Sequence, residues 1–417
     1  MADVKTTPWH RDPKTWIGLL VLAIVVFAGF CVAGPDRIWQ WLLAYKYWLL
    51  FLILVELAMA GLARSRDPKV YVGLAISVLF IWLAFRDLDP RLMGRSILEA
   101  NPWLLLFVSA QVLFMLFVRG HRWTLFLKPV KPGISWIKLG WSTCVGFAVN
   151  NMLPARLGEV ARSISASRKT GLPFTTVFGS VVVERLYDTL SVLVLFVLSL
   201  FVFDFAEPMQ RLTAAVYQEF GYEITQRSIA INFGALVALI LAAIITLKWK
   251  TEWSLRVARI FLRPLPVRWR DKIIDAMRTF IGGLTQTTNP WEIAWILFLS
   301  AGLWVISWFS VMVGLWACGI DVGGTEAVLV IMAMVIAVSI PASPGYVGPY
   351  HFLTAKAITM VANVPWEQAF AAATAIHLAN YIPQTLSGLY ALSREGISLK
   401  QITDEASHTP DRDPATS

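Results

Sequence analysis

Polar and charged residues crowd one otherwise apolar part of the chain: Asn150, Asn151, Arg156, Glu159, Arg162, Glu184, Arg185 and Asp188. An ionised side chain in hydrocarbon costs about 2.5 to 3.5 kcal/mol even on lenient insertion scales, so several together must pair with one another or face water. Glu184 and Asp188 are four apart and share a helix face. Arg185 sits ~100° round the same helix, within reach of Glu159 or of a ligand phosphate. Arginine suits phosphate because its planar fork bonds two oxygens at once. Gly158 lets backbone approach a headgroup closely, and a helix that begins there turns free N–H groups toward an anion. The chemistry this pattern could do is anion recognition inside a membrane; the same residues would also serve as ion pairs bracing a broken helix. Arg156, Arg162 and Arg185 balance Glu159, Glu184 and Asp188, so attraction of an anion calls for some of these carboxylates to be protonated or turned away. Proton coupling through Glu159, Glu184 or Asp188 is the corresponding expectation.

A second polar set, His377, Asn380 and Gln384, follows i, i+3, i+7 and makes one stripe on a helix that Pro383 can kink. It could line a cavity or hydrogen-bond a neighbouring helix. Asp87-Leu88-Asp89 offers a D-x-D pattern in a loop, without the further acidic residues or histidine that would complete a metal site. The five histidines lack ligand spacing, and Cys31, Cys144 and Cys318 lie in or beside apolar runs, so neither a metal, a cofactor nor a disulfide framework is expected.

The elements that position these residues are membrane spans. The 417 residues are 57% hydrophobic and only 15% charged, against roughly a quarter charged in a soluble domain. That excludes a soluble multidomain enzyme. The net charge of +9 reports topology and anionic lipid contact rather than nucleic acid. A span needs about 20 mostly apolar residues, and eight candidates appear, near 16–33, 47–63, 70–83, 102–118, 174–203, 229–247, 291–316 and 369–392. Two weaker runs, 136–153 and 327–340, end in Pro and Gly clusters and are expected to be re-entrant. With the N-terminus inside, 27 basic residues fall on the cytoplasmic side against 8 outside, which satisfies the positive-inside rule. Both termini are therefore expected to be cytoplasmic. Residues 248–278 alternate basic and apolar positions, as a short amphipathic helix on the cytoplasmic leaflet would.

Leu153-Pro154-Ala155-Arg156-Leu157-Gly158 and Ile340-Pro341-Ala342-Ser343-Pro344-Gly345 share the pattern apolar-Pro-Ala-x-x-Gly. Each stands between a weak apolar run and a strong span. The expected fold is an all-α polytopic membrane protein of about eight transmembrane helices plus two re-entrant segments in an inverted repeat, an arrangement found in transporters. Non-helical backbone at that depth must be buried or reach water, so Pro154, Pro341, Pro344 and Gly348 mark a central cavity, with Ser343 and Gly345 lining it. The expected division is two additional helices over 1–68, a core over 69–392 with repeats at about 69–204 and 229–392, and a polar cytoplasmic tail over 393–417.

The run from Asn150 to Arg162, followed by Val183-Glu184-Arg185-Leu186-Tyr187-Asp188, resembles the hallmark of the lysylphosphatidylglycerol synthase transmembrane, or flippase-like, family. Arg119-Gly120-His121-Arg122-Trp123 and the segment from Ile340 to Gly348 are similar to that family's other landmarks. Ala155 stands where the family most often has glycine. The resemblance implies central re-entrant helices and a role in moving lipids between leaflets, in some members aminoacylated phosphatidylglycerol. The polar residues 393–417 are too few for a soluble aminoacyl-transferase domain, so lysyl transfer is not expected. The function expected is thus a flippase or scramblase for an anionic or aminoacylated phospholipid or a polyprenyl-phosphate lipid, in the inner membrane, with lipid headgroups as its partners and no catalytic role. The alternative is a membrane glycosyl- or phosphotransferase using Asp87 and Asp89. The sequence leaves open which lipid and which oligomeric state apply.

Overall fold

The computed structural model describes residues 68–85, 88–153, 157–220, 225–263, 266–267, 270–271, 274, 289–340, 343–397 and 401–402. The two spans read at 16–33 and 47–63, and Pro154, Arg156, Pro341 and Asp87, lie outside them. Every described element is helical. In chain order these are α1 (Pro68–Phe85), α2 (Pro90–Leu98), α3 (Pro102–Leu127), α4 (Trp136–Met152), α5 (Gly158–Thr170), α6 (Phe174–Val202), α7 (Ala206–Phe220), α8 (Gln226–Trp249), α9 (Thr251–Phe261), α10 (Pro290–Ala317), α11 (Gly324–Ser339), a 3-10 turn (Pro344–Tyr346), α12 (Pro349–Ala362) and α13 (Trp366–Glu395). Among the described residues, α3, α6 and α10 are long and apolar enough to cross a membrane; α1 and α11 are shorter apolar helices. The amphipathic segment expected after Lys248 forms α9, which buries Leu255 against Ile274 and leaves Trp253, Ile260 and Phe261 exposed.

The same punctuation occurs twice. Asn101-Pro102-Trp103 opens α3 and Asn289-Pro290-Trp291 opens α10, and each Asn side chain accepts from the Trp backbone N–H at 3.0 Å. This is an N-cap followed by proline at N1, which has no N–H to satisfy. The short α5 ends at Gly171 (φ 69°) and the short α12 at Asn363 (φ 53°). Both are left-handed C-caps, followed by Leu172-Pro173-Phe174 and Val364-Pro365-Trp366, whose prolines stop one helix and set the next. The order long, short, break, short, long therefore recurs as α3–α6 and α10–α13. The internal similarity read from the two Pro-Ala-x-x-Gly segments extends to the caps of the flanking helices.

Packing crosses between the two sets. α4 lies against α3 and α5 on one side and α13 on the other; α10 lies against α3, α6 and α11; α12 packs between α11, α13, α1 and α7. α3 and α4 meet backbone to backbone, since a Cβ on Gly120 would strike the backbone of Gly140 and stand 2.8 Å from the Trp136 carbonyl. Gly388 of α13 likewise lies against the Cys144 carbonyl and the Ala148 side chain of α4. Small residues at such crossings are how helices pack without a hydrophobic drive in lipid. The largest apolar cluster joins Phe196 of α6, Leu315 of α10, Val330 of α11, Ile358 of α12 and Ile376 of α13. A second, of Trp123, Leu139, Ala166, Val181 and Ile296, underlies the charged residues described next.

Candidate functional site

α3 does not stop at Val118. Its N-cap fixes the start, no proline follows before Pro129, and Gly120 stays helical where α4 approaches it, so the helix carries Arg119 and Arg122 with it. The span read from hydropathy at 102–118 is thus part of a helix that runs to Leu127, and Arg119 and Arg122 lie on it rather than in a loop after it. Arg122 is fully buried. It donates to Glu184 at 3.0 Å, to Ser300 of α10 at 2.7 Å and to Asp188. Arg119 reaches Asp188 at 3.1 Å. From α5, Arg162 donates to Glu184 at 2.5 and 3.4 Å, and Arg185 bonds Glu184 at 2.9 Å and Asp188 at 3.3 Å. The expected common face of Glu184 and Asp188 is thus present, but it is met by arginines from three helices. Arg185 turns to these two carboxylates, with Glu159 within electrostatic reach.

Aromatic groups hold the cluster in place. The Arg162 guanidinium lies 4.5 Å over the Trp123 ring, a cation–π contact, and the Trp123 indole donates to Ser180 at 2.8 Å. Trp304 of α10 donates to the Asp188 carbonyl at 3.0 Å. Four guanidiniums meet two carboxylates, leaving two positive charges in excess, or one when Glu159 is included. This differs from the even balance expected from the sequence, because α3 contributes two further arginines. The Nε atoms of Arg122, Arg162 and Arg185 are buried without a hydrogen-bond partner among the described residues. Arg185 alone opens outward, its side chain 41% exposed against 0% for Arg122 and Glu184. Chemically, this is a cationic, mostly dry cluster with unspent donors and one accessible guanidinium.

The remaining residues expected at the site divide away from it. Asn150 accepts from the Gly158 N–H at 2.7 Å and so caps α5; Gly158 has no room for a Cβ, which would strike Asn150 and the Gly146 carbonyl. Asn151 donates to Thr385 at 3.0 Å, and its carbonyl accepts from the Tyr381 hydroxyl at 3.1 Å. Gly345 (φ 70°) packs on the Tyr381 ring. The Ser343 N–H donates to Ser77 of α1 at 2.8 Å, and Gly348 (φ 97°) also abuts Ser77. Pro344 begins the 3-10 turn. Asn380 folds back on the Ile376 carbonyl at 2.7 Å, and Gln384 is half-buried on the same helix. His377 stacks on His351, which sequence reasoning did not single out. No group of three or more metal-ligating side chains occurs among the described residues.

Comparison with known proteins agrees with this architecture. Residues 70–388 match the family described as the lysylphosphatidylglycerol synthase TM region, and the chain belongs to that family of membrane proteins. Among its relatives is the glycosyltransferase AglD of Haloferax volcanii, 22% identical over 377 residues, covering 84% of this chain and 58% of that protein. A UPF0104 membrane protein of Methanocaldococcus jannaschii, MJ1595, is 22% identical over 342 residues, covering 79% of this chain and 96% of its own length. Another, PH1989 of Pyrococcus horikoshii, is 22% identical over 228 residues, 51% of this chain and 62% of that protein. No solved structure matches significantly.

Proposed function

We propose that the chain is a lipid flippase or scramblase that moves an anionic or aminoacylated phospholipid, or a polyprenyl-phosphate lipid, between leaflets. The observation that carries this is the excess of guanidinium over carboxylate in the cluster of Arg119, Arg122, Arg162 and Arg185 with Glu184 and Asp188. Excess buried positive charge with unpartnered Nε donors favours an anion, and Arg185 is the group such an anion meets first. The lipid tails stay in the bilayer while the headgroup passes the cluster. On this reading the breaks between α4 and α5 and between α11 and α12 are re-entrant turns of an inverted repeat. The protein lies in the inner membrane with both termini cytoplasmic. The proportion of basic residues on the two sides supports that orientation.

A glycosyltransferase-related reading has one observation in its favour, the name of the AglD relative, whose length this chain covers to 58%. Against direct catalysis by the D-x-D pattern, the exposed Asp89 carboxylate accepts from the Arg91 N–H at 2.8 Å as the N-cap of α2. Purified protein in proteoliposomes with fluorescent phosphatidylglycerol, phosphatidylcholine and a polyprenyl phosphate in parallel tests the proposal. Preferential loss of anionic lipid to a membrane-impermeant quencher is expected. Equal rates for protein-free and protein-containing vesicles with every lipid would overturn it.

A further inference from the structure

The two repeats can be matched residue by residue around their breaks. Counted back from the left-handed C-caps Gly171 and Asn363, Glu159 and Arg162 of α5 fall level with His351 and Thr354 of α12. Counted from the opening residues Phe174 and Trp366, Arg185 of α6 falls level with His377 of α13. Arg185 and His377 each lie eleven residues past that opening, about 16 Å of helix and so half of a hydrocarbon core about 30 Å thick. Where the first repeat gathers Glu159, Arg162 and Arg185, the second gathers His351, Thr354 and His377.

This counterpart set is held together. The His377 ring, 8% exposed, stacks on that of His351 at 4.7 Å between centroids, with 20° between planes. Thr354 follows His351 by three residues and shares its face of α12. The Nδ1 atoms of both rings are buried without a hydrogen-bond partner, as is the hydroxyl of the fully buried Thr354. Thr143, Thr170, Thr374 and Thr385 each bond the carbonyl four residues back; Thr354 forgoes that bond. Buried polar atoms kept for packing are satisfied, so three orphans at the positions that match the ion cluster point to a ligand that binds and leaves.

The donor set decides the class of that ligand. Among the described residues no carboxylate or cation acts on either imidazole, and burial in apolar surroundings keeps both rings neutral. A neutral imidazole offers one donor and one acceptor, and a threonine hydroxyl offers both. A phosphate only accepts and an ammonium only donates, so neither uses this set fully. A hydroxyl does both. Rings flank the pair: Tyr350 meets His377 edge-on at 4.4 Å, Tyr381 lies 5.6 Å from it, and Phe370 lies 6.0 Å from His351. Neutral, two-way hydrogen bonding beside aromatic rings matches the hydroxyls and carbon faces of a glycerol or a sugar.

We propose that His351, Thr354 and His377 form a second station for the headgroup, which hydrogen-bonds the uncharged hydroxyls of a polyol where the guanidiniums of the first repeat hold phosphate. The division follows the repeats: α5 and α6 read charge, and α12 and α13 read hydroxyls. α3 and α10 each pack against both α6 and α13, so a headgroup that crosses meets the stations in turn. The lipid favoured is then anionic and hydroxylated together. The part this station plays in lipid passage rests on the headgroup reading; its binding of hydroxyls does not.

Two measurements separate these. Full-length protein labelled at histidine is placed in phosphatidylcholine nanodiscs that contain phosphatidylglycerol, phosphatidylinositol or phosphatidylmethanol. The three bear the same charge, and phosphatidylmethanol lacks headgroup hydroxyls. Imidazole nitrogen resonances are recorded by NMR at about pH 7.5, above the ordinary histidine range, with His351→Gln and His377→Asn for assignment. The Nδ1 resonances of the pair are expected to shift with phosphatidylglycerol or phosphatidylinositol relative to phosphatidylmethanol, and the lipid that shifts them tells a glycerol from a sugar-like ring. Identical wild-type spectra with all three lipids would overturn the proposal and leave the orphaned atoms to water. In proteoliposomes the hydroxylated lipid is expected to move severalfold faster than phosphatidylmethanol. Thr354→Val is expected to bring that ratio close to one, whereas Asp89→Ala, outside the site, keeps it. Measurable but equal rates for the three lipids in the wild-type protein, or an unchanged ratio in Thr354→Val, would also overturn the proposal. Absence of movement of every lipid, with the resonance shift intact, would instead remove the headgroup reading and leave the hydroxyl site standing.

Discussion

The Tyr381 hydroxyl donates to the Asn151 carbonyl at 3.1 Å, and so α13, the last helix of the second repeat, stoppers the C-terminal end of α4 in the first. That carbonyl belongs to the last turn of a helix, where backbone acceptors have no partner of their own. Gly345 of the other broken segment lies against the Tyr381 ring and beside the same Asn151 carbonyl, so that a Cβ built on it would stand 2.6 Å from Cε2 of the ring. One side chain thereby ties both interruptions together.

Tyr381→Phe removes this hydrogen bond and is expected to cost about 0.5 to 1.5 kcal/mol, while Gly345→Ala strains a φ of 70° and pushes on the ring. The second change is therefore expected to lower thermal stability in detergent more than the first. A fluorescence-detected size-exclusion melting series on both variants checks the order. Equal melting temperatures would show that the contact is incidental.

Arg122→Ala leaves Glu184 and Asp188 buried with fewer partners. Breaking a buried pair from one side typically costs about 3 to 5 kcal/mol, and the variant is expected to express poorly and to lose lipid movement. Arg122→Lys keeps the charge but replaces the fork that bonds Glu184, Asp188 and Ser300 at once, so partial recovery of folding without full recovery of transport is expected. Yield and proteoliposome rate, measured together, decide it.

Arg185 offers the cleaner separation of function from folding, because its side chain is 41% exposed and Glu184 keeps Arg122 and Arg162 without it. Arg185→Ala is expected to abolish anionic lipid movement with expression largely intact. Asp89→Ala removes an exposed N-cap, worth about 1 kcal/mol, and is expected to leave transport unchanged. The reverse pattern, activity lost with Asp89→Ala and kept with Arg185→Ala, would favour the transferase reading.

Orientation is open to a chemical test. In a background lacking Cys31, Cys144 and Cys318, a cysteine at the exposed Val347 of the second break is expected to react with an impermeant thiol reagent from the periplasmic side and one at the exposed Arg168 from the cytoplasmic side. Reaction of both from the cytoplasm would defeat the inverted arrangement.

The all-helical architecture and the paired polar faces of α6 were legible in the sequence, because apolar run length and the four-residue spacing of Glu184 and Asp188 need no tertiary information. Arg119 and Arg122 were not placed, since hydropathy falls at an arginine whether it leaves the membrane or stays in it with a partner. The signal that could have placed them is the absence of a proline between Pro102 and Pro129, together with an N-cap at Asn101 that fixes where the helix begins. The two Asn-Pro-Trp openings and the Gly-x-Pro-Phe and Asn-x-Pro-Trp junctions were also legible in principle; they lie at the edges of the apolar runs, where a search by hydropathy does not look. His351 could not have been singled out, because its only claim is the ring of His377, and sequence spacing does not bring two helices face to face.

The backbone contacts of Gly120 with Gly140 and of Gly388 with Cys144 clasp α4 on both flanks. Helices that slide past one another do so on a cushion of side chains that can change rotamer, as in shear motions. At these two points no side chain separates the backbones, so displacement along either seam would drive main chain into main chain there. α3, α4 and α13 consequently form a keel, and under the proposed function any alternation of access is expected to hinge outside these three helices.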